Sequence, residues 1–148
     1  MFKIRLAGKD DIKALEAIDR LCAEQPWSER QFSEELRQPH ARLLAAEAEQ
    51  ELVGFCDLHI IADDAHINEL AVLPSHRRLG AARALVKEAL TLARNDGCVR
   101  LTLEVRSKNA PAIALYESCG LKPCGLRRGF YREPDDDALT MLVELKGE

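Results

Sequence analysis

A strictly alternating segment that lies between two helical patterns constrains the fold of this chain more than any other feature. From Val99 to Arg106, apolar and polar residues alternate without exception, which predicts a strand with one buried face. A helical pattern precedes this strand from about Leu79 to Asn95, and a second helix follows it, capped by Asn109 and closed by Gly120. Together with a strand pattern at residues 65–73, these segments predict a strand–helix–strand crossover.

The other patterns place this crossover in a larger sheet of the α/β (α+β) class. Three strand patterns before the crossover helix form an antiparallel meander, and two more end the chain around an acidic loop. The expected architecture is a mixed, mostly antiparallel sheet of about seven strands with helices on both faces, in the order β-α-α-β-β-β-α-β-α-β-β. The predicted strands span residues 2–6, 42–48, 52–61, 65–73, 99–106, 121–128 and 138–145.

Two helices are predicted between the first strand and the meander. The first starts at Asp10 or Asp11, has apolar residues at every third or fourth position, and is broken by Pro26. The second has a complete start signal, in which Ser28 is the N-cap and a glutamine three residues later closes a capping box. The apolar partners of that start signal are Trp27 and Phe32, and the helix ends before Pro39.

The composition limits the class of protein. The 148 residues suit one domain spanning 1–148, and 25 acidic against 21 basic residues give a net charge of −4. Because proteins that bind nucleic acid directly usually carry a basic excess, no nucleic-acid partner is expected. The chain has no apolar run of 18 residues and no signal-peptide core, so we expect no membrane partner and a cytoplasmic location. A monomer is expected, and scattered cysteines and histidines predict neither disulfides nor a metal site.

The segment from Val72 to Arg83 joins a strand to a helix and has the properties of a phosphate-binding turn. Gly80 and two alanines leave the first helical turn almost without side chains, so its N–H groups are open to an anion. Arg77, Arg78 and Arg83 add positive charge. An ordinary helix start with solvated arginines would look the same.

The motif R-x-x-G-x-A at residues 77–82 resembles the acetyl-CoA pyrophosphate loop of the GCN5-related N-acetyltransferase (GNAT) superfamily. Residues 103–120, together with 26–28, 128–131 and 137–141, resemble the RimI-like ribosomal-protein alanine N-acetyltransferases. The resemblance implies a single-domain GNAT fold. It also implies that acetyl-CoA is the cosubstrate and the N-terminal alanine of a small-subunit ribosomal protein is the partner. The acetyl-CoA-binding residues that it implies are Leu70, Ala71, Val72, Arg77, Arg78, Leu79, Gly80, Ala81, Ala82, Arg83 and Asn109.

The resemblance assigns the chemistry to Glu104 and Tyr116. Glu104 is the candidate base that removes a proton from the incoming amine, and Tyr116 the acid that protonates the departing sulfur. Without the resemblance, Glu104 could be a solvated residue paired with Arg100 or Arg106, and Tyr116 a core tyrosine. The amides of two strand residues, at positions 70 and 72, are expected to bind the pantetheine, and one of them the thioester oxygen.

Candidates for peptide binding are Trp27, Tyr131 and Asp135. Asp135 belongs to the acidic segment 133–137, which is either a solvated loop or a surface that attracts a basic N-terminal segment. Two other functions remain open at this stage. One is an acetyltransferase for a small-molecule amine, and the other is an acyl-CoA-binding regulatory module without turnover, against which Glu104 and Tyr116 argue.

Overall fold

The structure, a computed structural model, describes residues 2–145. Within that range the strands and helices follow the predicted order, and the predicted fold class is confirmed. No helix in the described range is long and apolar enough to cross a membrane. The strands are β1 (Lys3–Leu6), β2 (Ala41–Ala48), β3 (Glu51–Ile61), β4 (Asp64–Val72), β5 (Arg100–Arg106), β6 (Lys122–Tyr131) and β7 (Asp136–Glu144), and the helices are α1 (Ile12–Cys22), α2 (Glu29–Leu36), α3 (Ala81–Asn95) and α4 (Ala110–Ser118).

Helices cover both faces of a sheet with the strand order β1-β2-β3-β4-β5-β7-β6. On one face, α3 and α4 pack over a core that includes Leu85 and Tyr116, and on the other, α1 and α2 pack over a core that includes Phe32. Val72 belongs to the first core and Ala71 to the second, because successive side chains of a strand point to opposite faces. We call these the α3/α4 face and the α1/α2 face.

The parallel strands β4 and β5 separate before either of them ends. Residues 64–67 of β4 pair with residues 100–103 of β5. Beyond these pairs, β4 continues to Val72 and β5 to Arg106, and no further pairs join them. The separation leaves an opening between the two faces of the sheet, which we call the β4–β5 gap.

A bulge in β4 lies at the start of this gap. Asp57 of β3 is opposite Glu69 of β4, whereas the next residue, Leu58, is opposite Ile67. Asn68 is therefore an extra residue in β4. A bulge of this kind bends its strand and increases the local twist, which fits the departure of β4 from β5 at this point.

The last hairpin is longer than predicted. β6 extends to Tyr131 and β7 begins at Asp136, so the predicted acidic loop is reduced to a turn at residues 132–135. The Asp136 carboxylate is buried and accepts hydrogen bonds from Ser107 Oγ at 2.6 Å and Lys108 N at 3.2 Å. These bonds hold the start of β7 against the residues that follow β5.

The predicted start of α2 is confirmed. Ser28 Oγ accepts from the Gln31 backbone N–H at 3.2 Å, and the Gln31 side chain accepts from the Ser28 N–H at 2.9 Å. The Trp27 ring packs edge-on against Phe32, with 5.4 Å between the ring centroids. By contrast, α3 starts two residues later than predicted, because Gly80 has a φ of 99° and cannot continue a right-handed helix in that conformation.

Candidate active site

A cleft of about 790 Å³ opens where β4, the turn before α3 and α4 meet. Cys22 of α1, from the opposite face, also lines it, so the cleft reaches into the β4–β5 gap. Leu79 and Ala81 do not line it, since the Leu79 side chain is 63% exposed and Ala81 is buried in the core. The predicted site residues that line the cleft are Leu70, Ala71, Val72, Arg77, Arg78, Gly80, Ala82, Arg83, Asn109 and Tyr116. The lining residues that were not predicted are Cys22, His76, Pro111, Ala112 and Leu115.

The end of the cleft at the start of α3 is suited to bind an anion. No side chain caps α3, its N-cap is Gly80, and its first turn contains no acidic residue. The first N–H groups of the helix therefore have no acceptor within the described residues, and the positive end of the helix dipole lies at the same place. Arg78 and Arg83 line this end and add positive charge, so the turn has the properties of a phosphate site.

Two backbone N–H groups of β4 face the gap. The Val72 carbonyl accepts from Arg77 Nε at 3.0 Å and from Cys22 Sγ at 3.4 Å, so it points away from β3. In a strand, the N–H and C=O of one residue point to the same side, and residues two apart share that side. The N–H groups of Val72 and Leu70 therefore point into the gap, whereas the Leu73 N–H bonds back to β3. These two N–H groups are therefore free to bond to an extended ligand that enters the gap.

Tyr116 lies at the inner end of the cleft. Its side chain is 8% exposed, and burial is the main cause that raises the pKa of its phenol above the ordinary value. The hydroxyl makes no hydrogen bond to another residue between positions 2 and 145, so it can serve a ligand as a protonated donor. Two turns earlier, Asn109 caps α4, with its Oδ1 accepting from the Ala112 N–H at 3.2 Å.

Glu104 lies on the α1/α2 face, on the opposite side of the sheet from Tyr116. Its carboxylate accepts from Arg127 Nη1 at 2.9 Å and from Thr140 Oγ1 at 3.5 Å. The pairing with Arg100 or Arg106 that the sequence suggested is wrong, because these arginines bind Asp64 and Glu24 instead. The base candidate and the acid candidate are thus on different faces, with the β4–β5 gap between them.

The predicted peptide-binding residues are not gathered at one place. Burial is the main cause that raises the pKa of the Tyr131 phenol, and the nearby charge of Glu104 contributes. The Arg106 guanidinium stacks over the Tyr131 ring, 4.5 Å from its centroid. Trp27 packs against Phe32 at the start of α2. Asp135 is exposed in the hairpin turn and has no hydrogen bond to another described residue.

A row of acidic side chains on the α1/α2 face was not predicted. Asp19, Glu35 and Asp57 are buried, and Glu69 is half-buried. Burial is the main cause that raises the pKa of Asp57 to about 8 and of Glu69 to about 9, and in each case a neighbouring carboxyl group contributes. The one available signal was Asp19, which is four residues after Leu15 and so shares the apolar face of α1.

Comparisons with known proteins show what the chain is similar to. The family model described as acetyltransferase (GNAT) family matches residues 12–121. The ribosomal protein bS18-alanine N-acetyltransferase of Salmonella typhimurium (strain LT2) is 31% identical over 147 residues, covering 98% of this chain and 99% of that protein. The N-alpha-acetyltransferase RimI of Mycobacterium tuberculosis is 36% identical over 120 residues, covering 78% and 74%.

A solved structure extends the likeness to the fold. The ribosomal-protein-S18-alanine N-acetyltransferase from Escherichia coli superposes with a TM-score of 0.90 at 29% identity, covering all of this chain and 96% of the other. The predicted resemblance to the RimI group is confirmed by these relatives. The chain belongs to the acetyltransferase (GNAT) family.

Proposed function

We propose that the protein transfers the acetyl group of acetyl-CoA to the α-amine of the N-terminal alanine of ribosomal protein bS18. The observation that carries this proposal is the arrangement across the β4–β5 gap, with an anion site and a buried phenol on one face and a carboxylate on the other. The names of the similar proteins support bS18 as the substrate. A ribosomal substrate implies a cytoplasmic reaction.

Acetyl-CoA would lie along the cleft, from its pyrophosphate at one end to its thioester at the other. The start of α3, with Arg78 and Arg83, would hold the pyrophosphate. The N–H groups of Leu70 and Val72 would bind the pantetheine as a neighbouring strand does, and one of them would face the thioester oxygen. When bound, acetyl-CoA supplies an acyl group that is activated as a thioester.

Glu104 is the proposed base. An α-ammonium has a pKa of about 7.7–8.0 and is mostly protonated at neutral pH, so it must lose a proton before it attacks the acyl carbon. Glu104 accepts that proton through the β4–β5 gap, directly or through one water. Arg127 and Thr140 hold its carboxylate in place.

Tyr116 is the proposed acid. As the bond from carbon to sulfur breaks, the thiolate takes the phenolic proton, and the second proton that the amine loses on becoming an amide returns to Tyr116. The buried phenol keeps its proton until that moment, because burial raises its pKa. The amine thus loses two protons. Glu104 takes the first, and Tyr116 takes the second in place of the proton that it gave to the sulfur.

The seven strands of the described residues form one continuous sheet. We therefore take residues 1–148 as one acetyltransferase domain, and we propose that it acts as a monomer and without a metal. Light scattering during size-exclusion chromatography tests the monomer. A mass of about twice 16.5 kDa would contradict it.

The experiment for the proposed function compares substrates by the rate at which CoA is released. We expect a short peptide that begins with alanine to be acetylated. The same peptide with a blocked N-terminus and a free lysine should be inert. If only spermidine or glucosamine reacts, the protein is a small-molecule acetyltransferase. If acetyl-CoA binds but no amine releases CoA, it is a binding module.

A further inference from the structure

Two pairs of carboxyl groups lie side by side on the α1/α2 face. A carboxylate oxygen of Glu35 lies within 4.8 Å of one of Asp57, and Asp19 lies close enough to Glu69 to raise the pKa of its carboxyl group. The pairs are adjacent because Asp57 and Glu69 are opposite each other in the register of β3 and β4. Two carboxyl groups that are buried side by side repel each other when both are ionised, so we expect each pair to share one proton and carry one negative charge.

The first pair is compensated from within the protein. His59 Nε2 makes a hydrogen bond to Glu35 and lies 3.3 Å from Asp57 Oδ2, which the Asn68 amide also approaches at 3.4 Å. The basic imidazole of His59 therefore lies in contact with this pair.

The second pair has no such partner. Asp19 is completely buried, and its Oδ2 accepts the Trp27 N–H at 2.9 Å. The other oxygen, Oδ1, is buried and accepts no hydrogen bond from residues 2–145. Among residues 2–145, no lysine, arginine or histidine nitrogen lies within 4.0 Å of either carboxyl group. Because a buried charge without a counter-ion in direct contact is costly, a bound cation would stabilise this pair.

The place of this second pair indicates which cation is missing. Glu69 directly precedes Leu70, which lines the cleft, and Cys22, one helical turn after Asp19, lines it as well. Glu69 is on the same face of the sheet as Glu104, on the other strand that borders the β4–β5 gap. The pair therefore lies on the face of the sheet from which, in the proposed function, the amine reaches the β4–β5 gap.

We propose that Asp19 and Glu69 form an ammonium-binding subsite, whose single shared negative charge holds the protonated α-amine of the substrate before Glu104 takes its proton. This inference rests on the proposed function. It makes the pair a specificity determinant that favours a cationic amine over an N-terminus that is already acylated. Because the charge is shared, either carboxyl group can carry it alone.

The test uses the sharing of one negative charge between the two carboxyl groups. Asp19→Asn or Glu69→Gln alone leaves one carboxylate in the pair, so we expect the KM for an alanine-first peptide to rise less than threefold. The double variant removes the charge while it keeps the shape, and its peptide KM should rise at least tenfold. The Kd for acetyl-CoA should stay the same in all three. A double variant within threefold of the wild type would overturn the proposal, and so would single variants as impaired as the double.

The matched control is the Glu35→Gln/Asp57→Asn double variant, in which the same two changes are made in the compensated pair. Its peptide KM should change less than threefold. A rise equal to that of the Asp19→Asn/Glu69→Gln variant would mean that any loss of acidic charge on this face has the effect, which would overturn the assignment to one pair.

A binding measurement needs neither turnover nor a folded double variant. In Glu104→Gln protein saturated with CoA, we expect L-alaninamide, which carries an ammonium, to bind at least tenfold tighter than L-lactamide, in which a hydroxyl replaces it. Chemical-shift titration reports both affinities. Equal affinities would overturn the subsite even if the wild-type enzyme acetylates peptides. A preference for alaninamide in a protein that acetylates no peptide would refute only the proposed function.

Discussion

The two faces of the sheet carry opposite charge at the β4–β5 gap. On the α3/α4 face, three arginines and the start of α3 surround the cleft, and no acidic side chain of residues 2–145 lines it. On the α1/α2 face, Glu69, Glu104 and buried carboxyl groups border the gap. The net charge of −4 conceals this division. The difference suggests that an anionic cofactor and a cationic amine approach one opening from opposite sides, each attracted by one face.

The largest effect should come from removing the proposed acid on the α3/α4 face. Tyr116→Phe keeps the ring that packs in the core but loses the phenolic proton, so we expect kcat to fall about 10²–10⁴-fold with little change in the KM for acetyl-CoA. Steady-state kinetics checks this. A loss below threefold for Tyr116→Phe would show that another group protonates the sulfur.

A negative charge at the phosphate end should weaken cofactor binding next most strongly. Gly80→Asp places a carboxylate at the start of α3, and we expect the Kd for acetyl-CoA to rise about 30-fold or more. Isothermal titration calorimetry measures it. Because Gly80 has a φ of 99°, any side chain there is strained. Gly80→Asn shares that strain without the charge, and an equal loss in both variants would attribute the effect to backbone geometry.

The acidic face should make stability depend on pH. The pKa of Asp57 is raised to about 8 from an ordinary value near 4, so the folded state holds a proton there that the unfolded state has lost. The free energy of unfolding should therefore fall as pH rises from about 5 to 8. Asp57→Asn should flatten this dependence in thermal melts, where 1 kcal/mol corresponds to a shift on the order of 3 °C. The exposed control Asp63→Asn should leave the pH dependence of the melting temperature unchanged. If Asp57→Asn also leaves it unchanged, the raised pKa of Asp57 is contradicted.

The smallest effect should come from one arginine of the phosphate end. Arg83→Ala removes an exposed charge whose interaction water and salt screen, so the KM for acetyl-CoA should rise about two- to fivefold with kcat unchanged. The increase should be larger at low ionic strength. Arg94→Ala, near the other end of α3, should have no effect. Equal effects of the two variants would indicate a general charge effect rather than a phosphate contact.

The sequence predicted those features that depend on neighbouring residues. The start of α2 follows from Trp27, Ser28 and their partners within one helical turn, and the cap of α4 follows from Asn109. The turn before α3 could be predicted for the same reason, because Gly80 and the arginines beside it form one short segment.

Features that depend on packing between distant segments were not predicted. Arg127, the partner of Glu104, is 23 residues away and reaches it across β7, so only the strand register shows the contact. The pairing of Asp19 with Glu69 depends on how α1 packs over β4. A charged residue on the apolar side of a helix was visible in the sequence, but its partner was not.

The pH–rate profile of Glu104→Gln tests the central claim, that the base acts on the amine from the α1/α2 face. Wild type, Glu104→Gln and the exposed control Glu117→Gln are compared from pH 6 to 9 on a peptide that begins with alanine. We expect the Glu104→Gln deficit to be largest near pH 6–7, where the α-amine arrives protonated, and to shrink above about pH 8, where the amine is increasingly neutral. Glu117→Gln should follow the wild type throughout. A Glu104→Gln deficit that stays constant from pH 6 to 9 would contradict the claim and leave Glu104 only a role in holding the peptide.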